Sequence, residues 1–377
     1  MGMYHVKMLC LPGIGVRANR DGKCFTCPIL KQKEGIREKP SAPTPEKNMK
    51  NIPGRPGDSW LGAVTAGLAL ALPSVWYQTG KLEIYLPEIY MTPFSPEQFK
   101  DTIRQAWDKS ASGWNSQTLI IHTWLAAATA VMLDAAHIAV GMRVLDIAAG
   151  AGDQTLDIAR RVGPEGYVLA TDISEGILHF AKANAHRAGL SHVDTRVCDA
   201  EVLHVEAASF DAAVSRLGLM FCPDPLLALR QIYRAVKPGA HAAVLVFSEP
   251  QHNPCIGILI STALQHAGLP PRDPFQPGSL LSLGKPGLLD ELFRQAGFND
   301  VRMARISAPF RLPSAQDYLN FVRTSASPIM QILGNLNPQA QEAAWAEMQD
   351  RLSAFQSPAG WEGPNELLLA SGTRPVS

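Results

Sequence analysis

An excess of charge is what this chain lacks: 34 basic and 34 acidic side chains cancel over 377 residues. That removes the general electrostatic pull of a basic domain toward nucleic acid, and no nucleic-acid partner is expected. Long apolar runs are lacking too. Leu61–Trp76 is apolar but holds only 16 residues, is interrupted by Pro73 and lies far from the first residue. It falls short of the roughly 20 residues that cross a bilayer and is misplaced for a signal peptide, so no stable membrane span is expected. Cysteine is sparse, with six at irregular spacing. The lone C-x-x-C of Cys24 and Cys27 has no second pair, and His5 with Cys10 is a poor substitute, so no metal site is expected. Reduced thiols in a cytoplasmic protein fit this usage. Two phosphate-binding signatures are absent as well. No Lys-Ser/Thr pair follows a glycine turn, as a P-loop requires. Reading G-x-G-x-x-G/A from Gly150 puts Thr155 where a nicotinamide site needs glycine or alanine.

The first 90 residues differ from the rest. They hold nine prolines and a Lys-rich run from Lys31 to Lys50, and residues 1–60 carry 11 basic against 5 acidic side chains. This composition reads as a disordered or mis-assigned extension, with Met91 as the start of the ordered domain, 91–377. Just beyond, Ser95-Pro96-Glu97-Gln98 is a helix start: a serine cap, proline in the first turn, glutamine closing a capping box, and Phe94 positioned to staple against Phe99. Phe99, Ile103, Ala106 and Trp107 then fall on one helical stripe.

The informative stretch is Arg143-Val-Leu-Asp-Ile-Ala-Ala-Gly-Ala-Gly-Asp-Gln-Thr-Leu156, an apolar strand running into a glycine turn that opens a helix. Gly150 and Gly152 let backbone approach a ligand where a β-carbon would collide, and the helix start presents unpaired N–H groups. A tight strand-to-helix turn with no ligand is the structural alternative. Twenty residues past Gly152, the strand Tyr167-Val-Leu-Ala-Thr-Asp172, followed by Ile173, ends in a carboxylate placed to meet ribose hydroxyls. Further strands are predicted at Val193–Cys198, ending in Asp199-Ala200, at Phe210–Ser215, followed by Arg216, and at Ala242–Phe247, after a helix Pro225–Lys237 and the turn Lys237-Pro-Gly-Ala240.

This order resembles the class I S-adenosylmethionine-dependent methyltransferases, over a core of about 141–254. The run from Ser215 to Pro225, with Lys237-Pro-Gly239, is most similar to the ubiquinone and menaquinone C-methyltransferase branch and its small-molecule relatives. The resemblance implies an α/β fold with a doubly wound, Rossmann-like seven-stranded sheet whose last strand is antiparallel and enters between the fifth and sixth. Val301–Phe310 and Asn365–Ser371 then become the last two strands, with a helical insertion of about 311–363 between them. It implies S-adenosylmethionine as cofactor, held by Asp146, by Ala148, Gly150 and Gly152 under the methionine part, and by Asp172 with Ile173 at the ribose. Asp199 and Ala200 would face the adenine, and Ser215 and Arg216 the methionine end. Ala148 stands where many members carry glycine, a departure read as minor because alanine allows an ordinary backbone.

The partner implied is a small methyl acceptor, quinone-like or aromatic. A methylase of another O or N nucleophile and a non-catalytic cofactor-binding module remain alternatives, and the oligomeric state is left open. A catalytic base is required only if the acceptor loses a proton as it attacks. The candidates are His252 and Glu249, just past the fifth strand, and His122; each also reads as an ordinary loop or surface group. Arg216 pairs either an anionic substrate or neighbouring strand ends. Trp107 is read as packing the N-terminal helix on the sheet, whereas Trp114 and His122 are open between packing and ligand contact. Leu217, Leu219, Met220 and Phe221 would suit an apolar acceptor pocket beside the insertion, or core packing.

Overall fold

A computed structural model of the chain describes residues 95–325 and 327–376, together with two short antiparallel hairpins, Arg17–Ala18 with Cys24–Phe25 and Ser74–Gln78 with Lys81–Tyr85. The expectations that rest on Cys27, on residues 61–73, on a start at Met91 and on a Phe94 staple lie outside the described residues. The chain divides into two compact units, Met1–Tyr90 and Met91–Ser377, and the architecture below is that of the second.

Seven strands form its sheet: β1 Arg143–Ile147, β2 Tyr167–Asp172, β3 Val193–Val197, β4 Phe210–Arg216, β5 Val236–Phe247, β6 Asn299–Ser307 and, late in the chain, β10 Glu366–Thr373. Their order is β6-β10-β5-β4-β1-β2-β3. Strands β1 to β5 run parallel, and β10 is antiparallel to both β5 and β6. This is the doubly wound sheet with an inserted antiparallel strand that the sequence implied. Its central strands are apolar without alternation because helices cover both faces: Val144, Leu145, Ala212 and Ala213 are wholly buried.

Between these strands run α3 Asp153–Val162, α4 Glu175–Arg187, α5 Pro225–Ala235, α6 Pro254–His266 and α7 Leu288–Gln295. Their starts follow side-chain chemistry. Ser174 Oγ accepts from Ile177 N at 3.1 Å, and Asp224, ahead of Pro225, accepts from Leu227 N at 2.9 Å. Upstream lie α1 Pro96–Ser116, capped by Ser95, and α2 Thr118–Ala135. By length and apolarity α2 could cross a bilayer, but Ile121, Leu125, Met132 and Leu133 are buried in the core, which accounts for its composition.

Several boundaries differ from expectation, among them the sixth strand, which ends at Ser307 rather than Phe310. Strand β5 begins at Val236 rather than Ala242, because Lys237-Pro-Gly-Ala240 is itself extended and its pairing with β4 slips register between Phe210 and Ala212. Lys237 Nζ reaches Asp211 at 2.6 Å across that irregularity. The insertion is not purely helical. It carries α8 Ala315–Ser325, α9 Ser327–Leu333 and α10 Pro338–Leu352, and its two ends are tied by a small antiparallel sheet of β7 Phe310–Leu312, β8 Gln356–Ser357 and β9 Gly360–Gly363. Trp361 of β9 seals this unit, stacked at 4.7 Å on Tyr318 and donating Nε1–H to Leu352 O at 2.8 Å.

Candidate functional site

A cleft opens beyond the carboxyl ends of β1, β2 and β4, where the strand order reverses direction. Such a switch point collects ligands because the loops from neighbouring strands part there. The turn after β1 builds its floor. Gly150 has φ +58°, and a β-carbon on it would sit 3.6 Å from Trp114 Nε1. Gly152 has φ +87°, but its closeness serves packing: a β-carbon there would lie 3.0 Å from Ala181 of α4. Gly152 therefore seats α3 against α4 and does not line the cleft. Ala148 corrects an expectation. It is not in an ordinary backbone conformation but at φ +55°, and its β-carbon occupies the space left by Gly218, where a β-carbon would come within 2.2 Å of it. The strained alanine and the missing side chain opposite fit one another.

Two carboxylates organise this turn differently. Asp146 is fully buried and does not reach the cleft. Its oxygens accept from Gln154 Nε2 at 2.7 Å and Thr155 Oγ1 at 2.6 Å, tying β1 to the first turn of α3. Burial pushes its carboxyl up to about 6, against the opposing effect of those two hydrogen bonds. Asp172 lines the cleft and accepts from Gly150 N and Ser174 N, each at 3.0 Å. Burial likewise raises it to about 6 against its backbone donors. Its Oδ2 accepts from Gly150 and its Oδ1 from Ser174, and a carboxylate has further lone pairs to offer a ligand hydroxyl.

Ala148, Gly150, Asp172, Ile173, Asp199, Ala200 and Arg216 line the cleft; Asp146, Gly152 and Ser215 stand behind it. Ser215 Oγ is buried without a hydrogen-bond partner, 3.2 Å from where a Gly218 β-carbon would be. Arg216 does not wait for a substrate anion. It is buried and donates to Asp153 Oδ2 at 2.6 Å and Thr129 Oγ1 at 2.7 Å, bridging β4 to the start of α3 and to α2.

Three participants escaped the sequence reading. Asp153, immediately after Gly152, was hidden as one more residue of the glycine turn. Lys100 of α1 lines the cleft and pairs with Asp199 at 2.7 Å and Glu201 at 2.5 Å. Partial burial works against its charge, but the two carboxylates outweigh it and raise the ammonium. Asp108, also on α1, accepts from Ser174 Oγ at 2.6 Å and Gly176 N at 3.1 Å, so α1 rests on the start of α4. The periodicity of α1 announced an apolar stripe and gave no sign of these polar groups.

That stripe also points elsewhere than expected. Trp107 does more than pack: it lies against Ala111, Ala151 and Ile177 and, with Ile103, also lines the cleft, edge-on to Trp114 at 5.4 Å and to Phe221 at 5.8 Å. Trp107, Trp114, Leu217 and Phe221 form a wall shared with a second cavity, lined by Met220, Phe247, Tyr318, Phe321 and Trp361 among others. Leu219 is core. Leu217 sits at φ +58°, which turns the chain between the two spaces.

The three catalytic candidates lie away from both cavities. His122 faces Asp157 at 3.5 Å on the surface of α2. Glu249 turns to Arg305 of β6 at 2.6 Å, and the hydrogen bonds from Gln251 and then Arg305 hold its carboxyl below the usual range. His252 belongs to a short helical turn after β5. The reason is β10. Asn253, fully buried, donates to Glu366 O at 3.1 Å and accepts from Glu366 N at 3.0 Å, clamping this loop to the antiparallel strand and away from the cleft.

The chain resembles the ubiE/COQ5 methyltransferases. Residues 117–258 match that family. A demethylmenaquinone methyltransferase of Lactococcus lactis is 36% identical over 110 residues, 29% of this chain and 44% of that protein. A ubiquinone/menaquinone biosynthesis C-methyltransferase UbiE of Xanthomonas oryzae is 41% identical over 115 residues, 30% of this chain and 46% of that protein. The chain thus matches about half the length, or less, of these relatives. A solved putative methyltransferase from Bacillus halodurans aligns with 66% of this chain and 99% of its own at 17% identity and a TM-score of 0.44, a likeness too slight to carry an argument. The matched stretch contains the glycine turn, Asp172 and Arg216, and stops before the insertion.

Proposed function

We propose that this chain is an S-adenosylmethionine-dependent methyltransferase acting on a small, quinone-like or otherwise aromatic acceptor. The observation that carries the reading is the pair of cavities sharing the Trp107–Trp114–Leu217–Phe221 wall: one edged by the carboxylates of Asp172 and Asp199, the other aromatic and without charged groups. Family resemblance over 117–258 supports the same cofactor. The residues fit a nucleoside with a charged tail. Asp172 would accept from ribose hydroxyls, Ile173 and Ala200 offer apolar faces to a base, and Gly150 keeps the floor open.

Bound S-adenosylmethionine supplies a methyl group already activated on a sulfonium. The protein's task is alignment and drying, and positioning of this kind can lower a barrier by about 7 to 11 kcal/mol. Trp107 and Trp114 make the rigid junction, and Leu217 and Phe221 exclude water beside it. Arg216 keeps α3 in register through Asp153 and is a positioning residue. The far wall of the aromatic cavity lies outside the family match, which favours a second reading on the acceptor side, a methylase of another O or N nucleophile. Free Cys198, Cys222 and Cys255 agree with a reducing, cytoplasmic setting.

Calorimetric titration of the full chain with S-adenosylhomocysteine, with NADH as control, tests the cofactor. Saturable binding of the first alone is expected, and no binding of it overturns the reading. A labelled-methyl screen of quinols, phenols and amines then separates the acceptor classes by the atom that takes the label.

A further inference from the structure

The aromatic cavity is built mainly from residues that the family match does not reach: Phe310, Tyr318, Phe321, Ile329, Trp361 and Asn365 all lie beyond residue 258. No acidic or basic side chain is among its lining residues. Two titratable groups face it and both are held neutral. Burial raises the Cys255 thiol to about 12, and burial, followed by the nearby Cys255, raises the Tyr318 phenol further still. An anion or cation entering this space would shed its hydration with nothing to replace it.

Three of the cavity's polar groups are spent on the protein. Trp124 Nε1 donates to Ala308 O at 2.8 Å, Trp361 Nε1 to Leu352 O at 2.8 Å, and Ser325 Oγ to Phe321 O at 2.5 Å. Asn365 is different. Its backbone carbonyl accepts from Ala308 N at 2.8 Å, which anchors the residue just ahead of β10, but its side-chain Oδ1 is buried with no hydrogen-bond partner among the described residues. A buried acceptor left unpaired is costly, and such atoms in native proteins are usually completed by a water or a ligand.

Resting on the methyltransferase reading, we propose that Asn365 is the specificity-determining residue of the acceptor cavity, its Oδ1 receiving the hydrogen bond of a hydroxyl on an uncharged, largely apolar acceptor. An ether or hydrocarbon of the same shape leaves Oδ1 unpaired, and a carboxylate brings a charge the walls do not balance. A site built around one such bond rejects the analogue lacking it more strongly than an apolar pocket rejects a missing methyl group.

Equilibrium dialysis of the full chain, saturated with S-adenosylhomocysteine, against three probes of one shape tests this: 2-naphthol, 2-methylnaphthalene and 2-naphthoate. The naphthol should bind about tenfold more tightly than either of the others, as one hydrogen bond in a dry site implies. In Asn365→Leu and Asn365→Ala the preference over 2-methylnaphthalene should vanish while S-adenosylhomocysteine affinity stays within about twofold, a change too small to signal a lost contact. Equal binding of naphthoate, or a hydroxyl preference that survives both substitutions, overturns the assignment and leaves the cofactor reading standing. Should S-adenosylhomocysteine fail to bind, dialysis without it still reads the naphthol preference, so failure of the cofactor reading is told apart from failure of this one.

Discussion

The two cavities sit side by side, yet they are held open by different physics. The cleft at the strand ends is shaped by backbone and charge: residues at positive φ in the turn after β1, Asp146 gripping α3, the Arg216–Asp153 pair, and Lys100 between Asp199 and Glu201. The cavity beneath the insertion is shaped by ring against ring, Trp124 on Phe310 at 4.5 Å and Tyr318 on Trp361 at 4.7 Å. Hydrogen bonds tolerate little displacement, whereas apolar walls accept exchange for other apolar side chains of similar total volume. A fixed cofactor and a changeable acceptor would each suit the half given to it.

Asp153→Ala tests the polar half most severely. It strands a buried guanidinium, and unfolding in urea should show a loss of about 3–5 kcal/mol. On the aromatic side Trp361→Ala should cost a similar 3–5 kcal/mol, but with S-adenosylhomocysteine affinity nearly unchanged. If that substitution weakened the cofactor as much as the fold, the two halves would not be separable. Asp172→Ala should do the reverse. Calorimetry should show affinity falling tenfold or more, from a contact of about 1.5–3 kcal/mol, with the fold intact. A subtler cycle addresses the turn. Gly218→Ala should cost about 1–3 kcal/mol through its clash with Ala148, and combining it with Ala148→Gly should recover most of that in thermal melts.

The smallest effect is on pH. Asp146 and Asp172 are raised to about 6 in the folded state from an ordinary value of 3.8. The folded chain therefore keeps these protons where the unfolded chain has released them. Their contribution to stability is greatest below the unfolded value, is lost as pH rises through about 6, and is flat above. Urea midpoints for Asp146→Asn and the unsubstituted chain should accordingly differ most at neutral pH and converge toward pH 4. Parallel curves would mean that Asp146 titrates normally.

The polar half was the more legible in the sequence because backbone demands leave marks. A glycine turn after an apolar strand, an acid at the next strand's end and a serine or aspartate before a helix each have a local cause, whereas the sheet order was implied by the family resemblance that their succession carries. What stayed hidden was set by contacts between distant segments. The stripe of Phe99, Ile103 and Trp107 announced a helix face but not that it looks into the cleft. Ala148 looked ordinary because its φ is set by the turn and its room by Gly218. Glu249 and His252 stood at the correct strand end, and only the insertion of β10 and the grip of Asn253 turn them away. The small sheet that ties β7 to β9 joins residues some fifty positions apart, beyond the reach of local periodicity.

Strand β6 is synthesised about sixty residues before β10, yet β10 is its neighbour in the sheet and stands between it and β5. Until Glu366–Thr373 arrives, β6 has no place on the sheet and the intervening α8–α10 unit has only one fixed end. Pairings this remote close slowly, since loop entropy is spent before any contact repays it. Residue 365 immediately precedes the strand that completes the sheet. The half of the molecule proposed to choose the acceptor is thus the half that matures last, and a nascent chain could shape its cofactor cleft while its choice of acceptor was still unmade.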